Sequence, residues 1–368
     1  MIKKVLFHIY SLGKGGAERV VTTLAAEMAS RGIEVCVATL CVSKEEYPLA
    51  KSVRRINVGL TEEEEKKGRI FRMRTRIGKL KACLKEERPD VVFAFMQTAN
   101  YRAVLAAKGL NIPVIISVRS NPAVDYASKK QRALANYLYK KAAGAVFQTT
   151  GARDFFDKEV AERAAVILNP LNPKYQGIER AAERRKVFVS VGRFHDAKDY
   201  MTLVKAFERL TKDYPEYNLE IYGGASEDNT IHQVREWVRS HHLLDRILFM
   251  GDHNDLEKCI TDAACYVLSS KYEGMPNALM EAMALGLPVV ATDCPSGGPA
   301  ALIEDGENGL LVEVGNDKEM AAAMRKMLEY PKDAERVSIA ARKIVEDASV
   351  KKITDEWLEY AEKCTRNM

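Results

Sequence analysis

The chain has 368 residues, 47% hydrophobic and 29% charged, a composition that suits two packed α/β domains and excludes a disordered or low-complexity polymer. No apolar run approaches 18 residues, so no membrane-spanning helix is expected; seven cysteines without C-x-x-C spacing argue for reduced thiols, with neither a disulfide framework nor a zinc site. The net charge of +5 is unevenly spread: residues 1–170 hold 30 Lys and Arg against 17 Asp and Glu, a net of +13, and residues 171–368 hold 26 against 34, a net of −8. A basic half joined to an acidic half implies that the first half meets something anionic.

Val5 to Tyr10 reads as a buried opening strand, too short and without the cleavage site of a secretory signal. Ser11 to Arg19 leads it into a helix whose apolar positions Val20, Leu24 and Met28 recur at helical spacing. Glycines at 13, 15 and 16 let backbone N–H groups approach a phosphate at a helix start. Glu34 to Leu40 is a second strand. After Ile56-Asn57-Val58, the acidic run Thr61 to Glu65 opens a helix, and residues 66–85 then carry nine Lys and Arg and no acid. Ile70, Met73, Ile77, Leu80 and Leu84 form an apolar stripe, with Arg69, Arg72, Arg76 and Lys79 as a basic stripe beside it. Such a helix docks its apolar face on a sheet, the simpler reading, or lays it into a bilayer surface. Asp90–Phe95 and Val114–Val118 are unalternating apolar runs, as buried parallel strands require. Arg119-Ser120-Asn121-Pro122 follows at the ligand end, where Arg119 suits a phosphate or carboxylate. Ala145–Thr149 and Ala165–Leu168 complete this half.

Asn169 to Pro173 breaks structure, and the polar run to Arg185 reads as a hinge. Lys186 to Val191 restarts the strand–helix alternation, and Gly192 to Asp199 leaves that strand with Arg193 and Lys198 five residues apart. Leu219–Gly224 is another strand with a glycine turn. Cys265 to Leu268 is a strand followed by a polar turn, a helix with Asn277 near its start and Gly286 at its end, and the strand Val289–Ala291. Glu273 thus lies on the turn and Glu281 one turn into the helix, both toward the carboxyl end of a parallel sheet, where open α/β folds bind ligands. Gly274, Met275, Asn277 and Ala278 can offer N–H groups at a positive helix terminus. Asp293 to Pro299 is a turn able to form an anion nest. Gly309 to Val312 is a last short strand, and helices are expected over 317–330, 334–346 and 351–363.

Tyr272-Glu273-Gly274 and the run Asn277 to Val290 resemble the Glu-x7-Glu signature of family 4 retaining glycosyltransferases. The resemblance covers nearly the whole chain. It implies an α/β chain of GT-B fold, with two Rossmann-like doubly wound domains facing across a cleft. The acceptor domain would be 1–170, the hinge 171–185 and the nucleotide-sugar domain 186–350, with the helix of 351–368 crossing back to the first domain. It implies that Glu281 holds the ribose hydroxyls and that Glu273 lies against the transferred sugar as a positioning and electrostatic residue. Arg193 and Lys198 would clamp the donor diphosphate and stabilise its departing charge, with Gly15 and Gly16 closing over it. His253, Asn254 and Leu256 would border the nucleobase, and Gly274, Met275, Pro276, Asn277 and Ala278 would complete the donor site.

Many family members carry a histidine where Arg119 stands, so Arg119 and Asn121 are expected on the acceptor side without a histidine-based role. The sequence contains no Asp-x-Asp, and the resemblance implies no metal and no cofactor beyond the UDP-sugar. The flanks of the signature look most like bacterial members that move a hexosyl or N-acetylhexosaminyl group from a UDP-sugar to an oligosaccharide or polyprenyl-pyrophosphate-linked acceptor in surface polysaccharide synthesis. The helix 66–85, through Arg69, Arg72, Arg76 and Lys79, suits such an acceptor or an anionic membrane surface, and the expected location is cytoplasmic, peripheral at the inner face of the cell membrane. A GT-B UDP-sugar epimerase is the alternative within enzymes. A nucleic-acid-binding protein would explain the basic half but leaves Glu273–Glu281 idle and lacks aromatics interleaved on the basic stripe, so no nucleic acid is expected.

Overall fold

Thirteen strands among the described residues form two sheets, each entirely parallel, one in each of two units. The structure, a computed structural model, describes residues 1–226 and 228–366. Unit 1 comprises Met1–Pro170 and Val350–Met368, and unit 2 comprises Leu171–Ser349.

In unit 1 the strands are β1 (Lys4–His8), β2 (Glu34–Thr39), β3 (Val53–Asn57), β4 (Val91–Phe95), β5 (Val114–Ser117), β6 (Gly144–Phe147) and β7 (Ala164–Val166), in the order β3-β2-β1-β4-β5-β6-β7. Phe7 pairs in register with Val37 on one side and Phe93 on the other. β4 and β5 are buried at every residue, so their continuous apolar sequence follows from cover on both faces. On one face lie the helices Gly16–Ser30 and Val350–Arg366. Trp357 is fully buried there, edge-on to Phe93 with centroids 5.0 Å apart and stacked on Phe95 at 5.4 Å. Tyr360 accepts the Ala145 N–H at 2.9 Å, so the last helix is part of the unit 1 core. The other face carries the helices Arg69–Glu87, Gln97–Ala107 and Lys129–Tyr139.

Two elements differ from the sequence reading. β3 was legible only in its last residues, because Arg54 and Arg55 give an edge strand the look of a loop. In the fold Arg54 pairs with Glu87, and Arg55 with Glu46 at 2.5 Å. The acidic run and the basic helix are also separate. Glu62–Glu65 is a single turn closed by a reciprocal Thr61–Glu64 cap, and the long helix restarts at Arg69 after Gly68. Leu80 and Leu84 of its apolar stripe are buried, but Ile70 and Met73 are 66% and 53% exposed, so only the second half docks on the sheet.

In unit 2 the strands are β8 (Arg185–Val191), β9 (Asn218–Tyr222), β10 (Ile247–Gly251), β11 (Ala263–Leu268), β12 (Val289–Thr292) and β13 (Leu310–Val312), in the order β10-β9-β8-β11-β12-β13. The order reverses direction beside β8, whose neighbours are β9 and β11, and such a switch point opens a crevice at the carboxyl ends. The helix Asn277–Ala284 connects β11 to β12, ending at Gly286, whose N–H donates to Met283. The helix expected over 334–346 is two, Pro331–Ala341 and Ile344–Asp347.

At the amino ends of β1 and β3, Glu87 meets Arg54 and, at 2.9 Å, Lys4; the hydrogen bonds from Arg54 hold its carboxyl down to about 2. A depressed carboxyl contributes stability that is present above its unfolded pKa of about 4.5 and is lost as pH falls through the folded value. Glu87→Gln is therefore expected to flatten the acid limb of the unfolding free energy between pH 4.5 and 2, measured by urea titration. An unchanged limb would remove Glu87 as its source.

Candidate functional site

The carboxyl edge of the unit 2 sheet is built by loops that bond to one another. After β8 the chain passes Gly192 and Arg193 into a short 3-10 turn, Asp196–Lys198. Tyr200, fully buried and 4.6 Å from the Phe194 ring, donates its hydroxyl to the Gly192 carbonyl at 2.7 Å and so folds this loop back on itself. The loop after β9 closes over it: Gly223 has φ +143, and a side chain there would strike the Gly192 carbonyl, so the backbones meet only because the residue is glycine. From β11 the next loop joins them. Lys271 N–H donates to the Ala197 carbonyl and Ser269 Oγ to the Lys198 carbonyl, both at 2.7 Å. A Cβ on Gly298 would collide with the Gly274 carbonyl, so the turn after β12 lies directly against the Glu273–Gly274 backbone.

These bonds hold Lys198 and Glu273 together. Lys198 Nζ stands 2.6 Å from Glu273 Oε1, and Ser270 Oγ donates to the same oxygen at 2.7 Å. Their side chains are 25% and 13% exposed, so the pair is shielded without being sealed from solvent. Arg193 is exposed and forms no ion pair with any described residue. Glu281 is buried on the inner face of its helix. Asn277 is the first helical residue and not the cap, a place taken by Pro276 without any side-chain capping bond. The first turn is thus an uncapped positive pole beside Gly274 and Met275. At the end of β10, His253 shares a hydrogen bond with the Met250 carbonyl at 3.1 Å and sets its ring edge-on to Tyr222 at 5.3 Å. The Asn254 carbonyl accepts from Lys174 at 2.8 Å, and Leu256 begins the short helix Leu256–Ile260. One neighbour was missed from sequence: Tyr266 on β11 is fully buried, its hydroxyl pushed far up by burial and by the nearby Tyr200, Glu273 and Glu281, with no hydrogen-bond partner among the described residues. A tyrosine inside an apolar strand carries no pattern that marks it.

The carboxyl edge of the unit 1 sheet is basic. Gly15 caps the helix Gly16–Ser30, and the Glu18 carboxylate fills the space a Cβ on Gly15 would need. Arg119, only 9% exposed, donates to Ser117 Oγ at 3.3 Å and to Asn169 Oδ1, with its guanidinium over the Phe95 ring at 5.5 Å. No carboxylate of a described residue meets it, and burial pulls its pKa down to about 9. Asn121 is buried, and its side chain caps the turn Pro122–Asp125 by accepting from Ala123 N–H at 2.9 Å. The basic stripe is largely paired: Arg72 and Arg76 reach Glu65 at 3.3 and 2.5 Å, and Lys79 reaches Glu64 at 2.5 Å, because the link at 66–68 folds the acidic turn back beside the long helix. Arg69 is exposed and in no ion pair with a described residue. Sequence reasoning also missed His8 and Arg102, 94 residues apart, which meet at this edge.

One group among the described residues brings metal-ligating atoms within 4.8 Å of one another: Glu34, Cys36 and Glu87. It lies at the amino end of the unit 1 strands, and Lys4 and Arg54 already neutralise its two carboxylates.

The chain is similar to known proteins over most of its length. The family model "Glycosyl transferase 4-like domain" matches residues 15–172, and "Glycosyl transferases group 1" matches residues 172–344. An uncharacterized glycosyltransferase of Haemophilus influenzae is 27% identical over 97% of this chain and 99% of its own length. The N-acetylgalactosamine-N,N'-diacetylbacillosaminyl-diphospho-undecaprenol 4-alpha-N-acetylgalactosaminyltransferase of Campylobacter jejuni is 28% identical over 90% of this chain and 92% of that protein. The crystal structure of Anabaena Alr3699/HepE in complex with UDP superposes with a TM-score of 0.82, covering 98% of this chain and all of that one, at 18% identity. Two parallel-sheet α/β domains of this kind are the GT-B architecture. With the two family models together spanning residues 15–344, the chain belongs to the glycosyltransferases, a 4-like domain followed by a group 1 domain.

Proposed function

We propose that this glycosyltransferase moves a hexosyl or N-acetylhexosaminyl group, with retention of configuration, from a UDP-sugar to a lipid-linked glycan acceptor. The observation that carries the donor half of this reading is the Lys198–Glu273 pair, 2.6 Å apart on the ligand edge of unit 2, with the unpaired Arg193 on the same loop as Lys198. Breaking the sugar–phosphate bond leaves a nucleoside diphosphate whose charge grows in the transition state. Fixed cations aimed at that charge lower the barrier without reorganising. Lys198 can turn from Glu273 toward the β-phosphate, and Arg193 can hold the same phosphate. Glu273, freed of its lysine but kept in place by Ser270, then presents a negative oxygen to the electron-poor sugar carbon. Retention needs no protein nucleophile if the acceptor attacks from the face the diphosphate leaves, with the donor phosphate taking the acceptor proton. Glu281 serves the ribose hydroxyls, and the loop His253–Leu256 borders the base. UDP in the similar Anabaena structure and the diphospho-undecaprenol substrate in the Campylobacter relative's name support this choice of donor and acceptor.

The acceptor half rests on the basic edge of unit 1. The helix Arg69–Glu87 exposes Ile70, Phe71 and Met73 among Lys66, Lys67, Arg69 and Arg74, an apolar tip in a basic collar. The ion pairs of Arg72, Arg76 and Lys79 are at the surface and screened by solvent, so an anionic lipid surface can compete for them. Each basic residue near such a surface contributes about 1 kcal/mol.

Four results are expected. Arg193→Ala should lower kcat by roughly a hundredfold while changing UDP affinity far less, the signature of an interaction made in the transition state, and Glu281→Ala should weaken UDP binding by about 1.5–3 kcal/mol. Calorimetry with UDP and initial rates with a matched donor separate the two, and normal turnover of Arg193→Ala would refute the phosphate assignment. Since Arg193 and Lys198 supply the cationic charge, activity should survive EDTA; loss of activity restored by Mg²⁺ or Mn²⁺ would contradict this. Changing Arg69, Arg72, Arg76 and Lys79 together to Gln should abolish sedimentation with anionic vesicles and raise the acceptor KM with donor binding intact, whereas unaltered sedimentation and kinetics would leave the stripe a solvated, self-paired helix face.

A further inference from the structure

The ligand edge of the unit 1 sheet holds a second guanidinium besides that of Arg119. Arg102 lies on the helix Gln97–Ala107, and its Nε–H donates to Nε2 of His8, the last residue of β1, at 3.3 Å. His8 is fully buried, and its Nδ1–H donates to the Ala38 carbonyl at 3.0 Å, which leaves the lone pair on Nε2 for Arg102. Burial and the Arg102 charge keep the imidazole neutral, its pKa lowered to about 3. The histidine therefore orients the arginine without cancelling its charge. Nothing else cancels it: Arg102 forms no ion pair with any described residue, its Nη2 is buried without a hydrogen-bond partner, and the charged group felt most strongly is another cation, Arg76.

A half-buried guanidinium with no counter-charge is destabilising to the fold, and such an uncompensated cation marks a candidate site for an anionic ligand. The backbone beside it is strained as well. Met96, the residue after β4, has φ +76 and ψ 152, a region costly for any side-chain-bearing residue, and its N–H is bonded to the Ser117 carbonyl at the end of β5. β1, β4 and β5 are adjacent, so uncompensated charge and stored strain coincide on the edge where parallel sheets bind ligands. The planar fork of a guanidinium matches the oxygens of a phosphate, and the Arg76 charge nearby is already met by Glu65, which leaves Arg102 as the uncompensated cation here.

We propose that Arg102, held in position by His8, is the residue of unit 1 that recognises a phosphate group of the acceptor. The assignment of that phosphate to the acceptor rests on the function proposed above; the anion site itself does not. Arg102 would be the binding residue and His8 a positioning residue.

The test follows the side-chain Nε–H signal of Arg102 by 1H–15N NMR, assigned by its loss in Arg102→Lys, with UDP present at saturation to occupy the donor site. Inorganic pyrophosphate should shift this signal saturably, and in His8→Phe the affinity should fall about tenfold, a loss of about 1.4 kcal/mol. Should His8→Phe not fold, Arg102→Gln carries the kinetic arm: acceptor KM at least about tenfold higher for a polyprenyl-diphosphate-linked sugar, with kcat and donor KM within about twofold. The melting temperature of Arg102→Gln should be unchanged or raised, because the variant deletes an uncompensated half-buried charge; a residue kept only for structure would lower it. An Arg102 signal unmoved at saturating pyrophosphate, or a rise in donor KM in place of acceptor KM, overturns the proposal. A shifted signal in a protein that transfers sugar to no lipid-linked acceptor would support the anion site while removing the acceptor reading.

Discussion

A lysine and a glutamate 75 residues apart in sequence stand 2.6 Å apart at the edge of the unit 2 sheet, and most of what surrounds them exists to keep them there. The constraint begins with the parallel sheet. All strands point one way, so every loop that follows a strand emerges on the same edge, and residues from β8 and β11 become neighbours because those strands are neighbours. The two loops are then fixed by a backbone bond, Lys271 N–H to the Ala197 carbonyl, and by two side-chain bonds to backbone carbonyls, Ser269 Oγ to Lys198 and the buried Tyr200 hydroxyl to Gly192. Two ions so placed are a poised pair. Each satisfies the other, and Ser270 holds the carboxylate independently of the lysine; under the function proposed above, a diphosphate would take the lysine.

Charge compensation sorts the basic residues of unit 1 in the same way. Arg54, Arg55, Arg72, Arg76 and Lys79 each have a carboxylate within reach, and their roles are accounted for by the fold. Arg102 and Arg119 do not. They are held by a neutral histidine, by Ser117 and by Asn169, groups that orient a guanidinium and leave its charge intact. Both lie on the ligand edge of the sheet. The +13 excess in the first half of the sequence is thus less telling than which of its members lack a partner once folded.

Much of this was legible in the sequence because local pattern and fold agree. The unalternating apolar runs of β4, β5, β11 and β12 can only be strands covered on both faces, and the stretch Tyr272 to Val290 carries its turn, helix and strand in plain order. The helix that completes unit 1 was legible as a helix, and Trp357 and Tyr360 anchor it against β4 and β6. What was not legible depends on contacts between distant residues. The pairing of the basic stripe with Glu64 and Glu65 was hidden, since in sequence those acids look like the beginning of one continuous helix. The reversal at 66–68 turns them into counter-ions. His8 and Arg102 are an ordinary strand histidine and an ordinary helix arginine until the sheet order brings them together. β3 was read short because its arginines are balanced by Glu46 and Glu87, which no local window contains.

In the proposed reaction Lys198 exchanges Glu273 for the donor phosphate, and a crystal structure of the protein with UDP would show whether it does. Lys198 Nζ and an Arg193 nitrogen are expected within hydrogen-bond distance of the β-phosphate, the ribose hydroxyls at Glu281, and Glu273 still bonded to Ser270 but released from Lys198. UDP bound elsewhere, or bound with the Lys198–Glu273 pair intact and no cation on its β-phosphate, would contradict it.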